Sequence, residues 1–194
     1  MSELLATDLL RASAYHLAGI KIRPKTGKEE LSGILIKRRE MRRILNHPIL
    51  LSSLRESFVH KVSFSGIVLE KLLPVDQIRL FEKTDIVIGT HGAGLVNSIF
   101  LLPQSHVLEI FPPFWYFGCY RKLCENVEVS YQSITAKGKK GPECDKEPGS
   151  QLCQIQGIRN RNFTVDINEV IKRLIKIPET VWMNKYGVVI LGVC

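Results

Sequence analysis

The segment Asp85-Ile-Val-Ile-Gly-Thr-His-Gly-Ala-Gly-Leu95 constrains the fold more than any other part of the sequence. Its β-branched run at 86–88 predicts a short strand that is buried on both faces. The glycines that follow predict a tight turn from this strand into a helix, with backbone amides open to a ligand. A glycine turn that only redirects the chain is the alternative that the spacing leaves open.

The spacing of these glycines excludes two common nucleotide-binding motifs. The dinucleotide fingerprint needs glycines at offsets zero, two and five, whereas Gly89, Gly92 and Gly94 lie at offsets zero, three and five. Leu95 stands where a Walker motif needs lysine. His91, inside the turn, offers a hydrogen bond or a charge to a diphosphate or a sugar hydroxyl. The segment therefore predicts a phosphate site of another kind.

Short apolar runs alternate with segments of helical spacing along the chain. The runs lie at 33–36, 85–88, 107–111 and 128–134, and helical segments include 4–17, 48–57 and 74–83. This alternation predicts an α/β fold with a parallel, doubly wound, Rossmann-like sheet and flanking helices. We expect one domain over residues 1–178, with a long loop at 136–157 that is functional or partly disordered, and a tail at 179–194.

A basic cluster follows the predicted strand at 33–36. It comprises Lys37-Arg-Arg39 and Arg42-Arg43. Because the carboxyl ends of parallel strands meet at one edge of a sheet, we expect it beside the glycine turn. Arg38 and Arg42 are four residues apart and would share a face if the turn is helical. Their guanidinium groups match phosphate oxygens, with Lys37 and Arg39 as secondary candidates. A solvated basic surface is the alternative.

Glu109 interrupts the apolar strand at 107–111. A buried carboxylate needs a partner, and a ribose hydroxyl or a nearby arginine would serve. An edge position that faces water is the alternative. The aromatic run Phe114-Trp-Tyr-Phe117 comes next and indicates core or lid packing, with sugar stacking as the other interpretation.

The formal net charge of +8 favours an anionic partner or serves solubility alone. Phosphorylated ligands, nucleic acids and membrane surfaces are the candidate partners. No nucleic-acid-binding module is recognisable and the basic cluster lacks interleaved aromatic residues, so we expect no nucleic-acid partner. No stretch reaches the ~18–20 apolar residues of a membrane span.

Cysteine positions and a glycosylation sequon favour an oxidising compartment. Cys144 and Cys153 flank a loop rich in proline and glycine, and a disulfide between them would suit the lumen of the endoplasmic reticulum or Golgi. Free thiols are the alternative. Asn162 begins an Asn-Phe-Thr sequon. No cysteine or histidine spacing fits a zinc site, so no metal is expected.

Taken together, these motifs resemble those of the family 61 glycosyltransferases, over about residues 38–134. The most specific match is the segment at 84–95, followed by Phe100-Leu-Leu-Pro103 and Val107-Leu-Glu-Ile110. Residues 38–46 are similar to the arginine-containing turn of the family, and residues 72–78 are similar to the stretch that leads to its Gln-Ile helix.

The resemblance implies one Rossmann-like half of a GT-B-type enzyme. It implies inverting, metal-independent transfer of N-acetylglucosamine or xylose from a UDP-sugar to a hydroxyl on a glycoprotein or glycan, with no cofactor besides the donor. The donor-binding candidates are Arg38, Arg42, His91, Gly92, Ala93, Gly94, Leu95 and Glu109. No residue is identified as the catalytic base. The alternatives are a UDP-sugar-binding domain without turnover and a basic nucleic-acid-binding domain.

Overall fold

The computed structural model describes residues 3–21, 30–175 and 177. The tail expected at 179–194 lies outside these residues. The strands of the described part form one sheet: β1 (Leu31–Ile36), β2 (Val62–Ile67), β3 (Ile86–Thr90), β4 (His106–Phe111) and β5 (Ser130–Thr135).

Helices connect the strands and cover the sheet. They are α1 (Glu3–Leu17), α2 (His47–Ser57), α3 (Pro74–Glu82), α4 (Cys119–Asn126), α5 (Pro142–Lys146) and α6 (Ile167–Leu174). Two 3-10 helices span Leu69–Lys71 and Ala93–Phe100, and a π-helix spans Cys153–Arg159. Proline occupies the first turn of α2, α3 and α5, where its missing N–H costs nothing. The segment expected as a loop at 136–157 thus contains α5 and most of the π-helix.

The sheet is parallel throughout, in the order β2-β1-β3-β4-β5. This confirms the predicted α/β, Rossmann-like class. The chain adds β2 on one side of β1 and β3 on the other, which creates a switch point between β1 and β3. In open α/β sheets, ligands bind beyond the carboxyl ends of the strands at such a point.

The sheet separates two apolar cores, as expected when parallel strands are buried on both faces. On one face, Leu35, Ile88 and Ile110 pack with Leu54 of α2 and Leu174 of α6. On the other face, strand residues pack against α3, α4 and the 3-10 helix; they include Ile36, Val87, Val107, Phe81, Leu95 and Cys124. No helix in the described part of the chain has the length and apolar character to cross a bilayer.

Candidate functional site

The arginine turn, residues 37–46, leaves the carboxyl end of β1 without forming a helix. The condition under which Arg38 and Arg42 would share a helical face is therefore not met. Arg42 instead adopts a left-handed backbone conformation with φ of 57°, which is uncommon for residues with a side chain. Its N–H donates to the carbonyl of Asn160 at 3.3 Å, and the N–H of Arg43 donates to Oδ1 of Asn162 at 2.9 Å. The turn is held by residues 160–163 rather than by helical hydrogen bonds.

Arg38 and Arg42 nevertheless come together. Burial lowers the pKa of Arg42, and the positive charges of Arg38 and Arg159 lower it further. The Nε atoms of Arg38 and Arg42 are buried without a hydrogen-bond partner. Within the described part of the chain, no carboxylate lies at ion-pair distance from any of these three arginines. Since arginine stays protonated at neutral pH, the site carries positive charge that the described residues leave unneutralised.

The glycine turn lies directly against this cluster. Gly92 has φ of 157° and ψ of 172°, a conformation that essentially only glycine adopts. A β-carbon added there would lie 3.0 Å from Nη1 of Arg38, so the guanidinium group packs on the glycine backbone. Ala93 and Gly94 begin the 3-10 helix, and the first N–H groups of a helix have no partner within it. Backbone donors and the arginines therefore face the same region.

The contacts of Leu95 do not fit its place among the predicted donor-binding residues. Its N–H donates to the carbonyl of Gly92 at 2.9 Å, and its side chain is fully buried in the core. Leu95 therefore anchors the 3-10 helix, and only the amides before it remain open to a ligand.

His91 and Glu109 form a buried pair. Nδ1 of His91 lies 2.6 Å from one carboxylate oxygen of Glu109, and the hydroxyl of Tyr131 donates to the other oxygen at 2.5 Å. Glu109 is completely buried, because β4 is an interior strand with both faces covered. It is neither at a water-facing edge nor free to accept from a ribose hydroxyl. The residue that it contacts is His91 rather than an arginine.

Aromatic rings surround His91. The ring of Trp115 meets it edge-on with centroids 4.6 Å apart, and the ring of Tyr120 lies at 5.0 Å. Burial raises the pKa of Tyr120, while the charges of Arg42 and Arg38 oppose this rise. Tyr120 therefore links the histidine to the arginine cluster. Of the aromatic run, Trp115 packs inward, whereas Phe114, Tyr116 and Phe117 are more than half exposed.

Several other predicted positions lie apart from this cluster. The side chains of Lys37 and Arg39 are exposed and have no hydrogen bond or ion pair to any described residue. Cys144 and Cys153 form the disulfide that the sequence suggested. In the described ranges, no group of three or more His, Cys, Asp or Glu side chains is arranged to hold a metal ion.

Three members of the site were not found from the sequence: Tyr120, Tyr131 and Arg159. Tyr131 reaches Glu109 because β5 pairs with β4 so that Ser133 lies opposite Glu109, and this register is not readable from either strand alone. Arg159 ends a π-helix inside a segment expected to be a loop. The only signal was indirect, since a buried carboxylate implies a partner of unspecified position.

The conformation of Gly92 leads to a prediction about stability. Gly92→Ala should lower the free energy of unfolding by roughly 1–2 kcal/mol, because alanine is strained at this φ and ψ. Gly94→Ala is the matched control, since its added β-carbon meets only a terminal methyl of Leu69, at 2.9 Å. Urea denaturation of both variants measures the difference. Equal losses would show that the conformation of Gly92 carries no special cost.

The fold and the site together define a Rossmann-like α/β domain with a cationic cluster at the carboxyl edge of its parallel sheet. The sequence profile described as Glycosyltransferase 61 matches residues 10–108, which include the arginine turn and the glycine turn. The chain belongs to glycosyltransferase family 61.

Curated relatives of the chain carry one name, EGF domain-specific O-linked N-acetylglucosamine transferase. The chain is 37% identical to the one from Pan troglodytes over 164 residues, and 36% identical to the one from Bos taurus over 167 residues. Each alignment covers 82% of this chain and 31% of the relative. Identity to the Drosophila melanogaster protein is 29%, over 61% of this chain and 22% of the relative. The chain thus spans about a third of the length of the first two relatives.

Proposed function

We propose that residues 1–178 form the donor-binding half of an inverting, UDP-sugar-dependent glycosyltransferase of the GT-B type. The observation that carries the proposal is the group of three arginines, Arg38, Arg42 and Arg159, without a carboxylate partner among the described residues. Holding like charges together in a partly buried place costs free energy, so such a cluster is expected where an anionic ligand neutralises it.

The diphosphate of the donor fits the chemistry of this region. The guanidinium groups of Arg38 and Arg42 bind phosphate oxygens bidentately, and the amides of residues 92–94 donate from the start of the 3-10 helix. During transfer, negative charge grows on the departing UDP. Fixed cations stabilise that charge, and one such contact is typically worth ~2–4 kcal/mol. The arginines supply this positive charge without a metal ion.

The relatives support N-acetylglucosamine rather than xylose as the transferred sugar. Their name specifies O-linked N-acetylglucosamine and EGF domains. By extension, the acceptor in our proposal is a hydroxyl on a folded extracellular-type protein domain.

The base that activates the acceptor hydroxyl is not assigned within these residues. An inverting transfer needs such a base. Glu109 contacts the proposed donor-binding residue His91, and both its oxygens are already engaged by His91 and Tyr131. We therefore place the base elsewhere in the enzyme, on a region that the relatives contain beyond their match to this chain.

A calorimetric titration of UDP, uridine, UDP-N-acetylglucosamine and UDP-xylose into the chain tests the donor site. We expect UDP to bind at least ~tenfold more tightly than uridine, because the diphosphate contacts the arginines. Failure of UDP to bind at millimolar concentration would overturn the proposal. Steeply salt-dependent RNA binding in its place would support the nucleic-acid alternative.

A turnover assay separates a transferase from a binding domain without turnover. It measures the release of UDP from UDP-N-acetylglucosamine with an EGF domain present.

The proposed location is the lumen of the endoplasmic reticulum or Golgi. The disulfide between Cys144 and Cys153 and the sequon at Asn162 support an oxidising, glycosylating compartment. A glycan on Nδ2 of Asn162 would leave Oδ1 free to keep its hydrogen bond to the N–H of Arg43. Expression through the secretory pathway, followed by glycosidase treatment, checks whether Asn162 is modified.

A further inference from the structure

The contacts of Glu109 leave it no role at the ligand itself. It is completely buried, and a carboxylate accepts hydrogen bonds but donates none. Burial and the bond to Glu109 raise the pKa of Tyr131, so its hydroxyl keeps the proton and donates. The remaining carboxylate oxygen accepts from Nδ1 of His91 at 2.6 Å. The proton of a neutral His91 ring is therefore on Nδ1.

This arrangement leaves Nε2 as the ring nitrogen of His91 that is available to a ligand. Trp115 and Tyr120 pack on the ring at centroid distances of 4.6 and 5.0 Å and restrict its rotation. The next residue in the chain is Gly92, on which the guanidinium group of Arg38 packs. Nε2 of His91 thus belongs to a residue whose immediate neighbour in the chain contacts the arginine cluster.

We infer that Glu109 is a positioning residue that acts through His91: it holds the proton on Nδ1, so that the ring takes up a second proton on Nε2 and donates it as a hydrogen bond to the diphosphate. The inference rests on the proposed function. In the free protein, the positive charges of the arginine cluster have no carboxylate partner among the described residues. Bound UDP places its phosphates beside the His91 ring, so proton uptake accompanies binding.

The charged or titratable groups around this pair come from every element packed on it. They are Tyr131 on β5, Cys119, Tyr120 and Cys124 on α4, Arg38 and Arg42 on the arginine turn, Arg159 at the end of the π-helix, and Tyr116 of the aromatic run. Burial comes first among the causes that raise the pKa of Cys119, Tyr120 and Cys124, so these groups stay neutral near pH 8. The proton taken up at this pH is therefore assigned to His91.

Calorimetry of UDP binding at pH 8, in buffers of different ionisation enthalpy, measures this proton uptake. UDP is fully ionised at this pH because phosphate loses its last proton near pH ~6, so the uptake reports on the protein. We expect uptake in the wild type, its loss in His91→Gln, and at least a halving in Glu109→Gln. A side chain with a packing role alone would leave the uptake unchanged.

A double-mutant cycle tests whether Glu109 acts through His91. Glu109→Gln should weaken UDP binding about tenfold in the wild type and have no further effect in His91→Gln. Equal losses in both backgrounds would overturn the inference.

Nitrogen-15 NMR of the unliganded wild type identifies which ring nitrogen of His91 carries the proton, and it needs no variant. A neutral His91 with its proton on Nε2 would also overturn the inference. Absence of all UDP binding would instead overturn the proposed function. UDP binding that depends on Arg38 but not on Glu109 would overturn the role of Glu109 alone.

Discussion

Replacing Arg38 and Arg42 together by alanine is expected to weaken UDP binding by about a thousandfold, or roughly 4 kcal/mol. Each guanidinium group would form charge-assisted hydrogen bonds to phosphate oxygens, typically worth about 1.5–3 kcal/mol each. The loss in the double variant should exceed the sum of the two single losses, since Arg38 and Arg42 act on the same diphosphate and repel each other in the free protein. Removing one arginine relieves that repulsion, so each single variant should lose less than half of the total.

The matched control is Arg39→Ala/Arg43→Ala. It removes the same net charge from the same turn, and both side chains are exposed. Its UDP affinity should stay within about threefold of the wild type, because exposed charges are screened by salt. Equal losses in the two double variants would show that net charge attracts UDP, and that Arg38 and Arg42 make no specific contacts to its diphosphate. Isothermal calorimetry at physiological ionic strength decides between these outcomes.

The parallel sheet and the meeting of two turns at its edge could be predicted from local sequence. Buried β-branched runs and intervening helical segments define the strands, and the carboxyl ends of parallel strands share an edge. Arg38 and Gly92 follow β1 and β3, which are adjacent in the sheet. Their proximity therefore follows from the order of the elements and needs no side-chain detail.

The local geometry of the arginine turn could not be predicted in the same way. A spacing of four residues would put Arg38 and Arg42 on one face only in a helix, yet the turn is held by hydrogen bonds to a distant segment through Asn160 and Asn162. Tertiary hydrogen bonds override local helical preference here and place Arg42 in a left-handed conformation. Such contacts join positions more than a hundred residues apart, and no local pattern encodes them.

The partner of Glu109 was hidden for a related reason. A carboxylate in an apolar strand predicts some partner, but His91 reaches it from the turn after β3 and Tyr131 reaches it from β5, as the pairing register dictates. Gly89, opposite Glu109 on β3, contributes no side chain to this place in the sheet. No local pattern connects His91, Glu109 and Tyr131 along the chain, and the pairing of β3, β4 and β5 brings them together.

The disulfide between Cys144 and Cys153 should contribute roughly 2.5 kcal/mol to stability, so Cys144→Ser/Cys153→Ser should lower the free energy of unfolding by that amount. The estimate is the chain entropy of closing a loop between cysteines nine residues apart. The segment has little apolar packing of its own. Its apolar cluster comprises only Cys144, Cys153 and Ile158, with Trp115 packed against it.

Loosening this segment should also weaken UDP binding, although Cys144 and Cys153 are not members of the arginine cluster. The π-helix that begins at Cys153 ends at Arg159, and the carbonyl of Asn160 accepts from the N–H of Arg42. Trp115 connects the same cluster to the ring of His91. The positions of both the arginine turn and His91 therefore depend partly on contacts with the segment that the disulfide closes.

Urea denaturation and UDP titration, each with and without a reducing agent, test this link. The reducing agent should shift the wild type towards the double serine variant and leave that variant unchanged. Cys119→Ser is the control for loss of a thiol, because Cys119 is free and exposed. A wild type whose unfolding midpoint does not respond to reduction would show that the apolar cluster suffices. Lower stability with unchanged UDP affinity would show that the disulfide does not affect the arginine turn. The two measurements therefore separate a contribution of the disulfide to folding from a contribution to UDP binding.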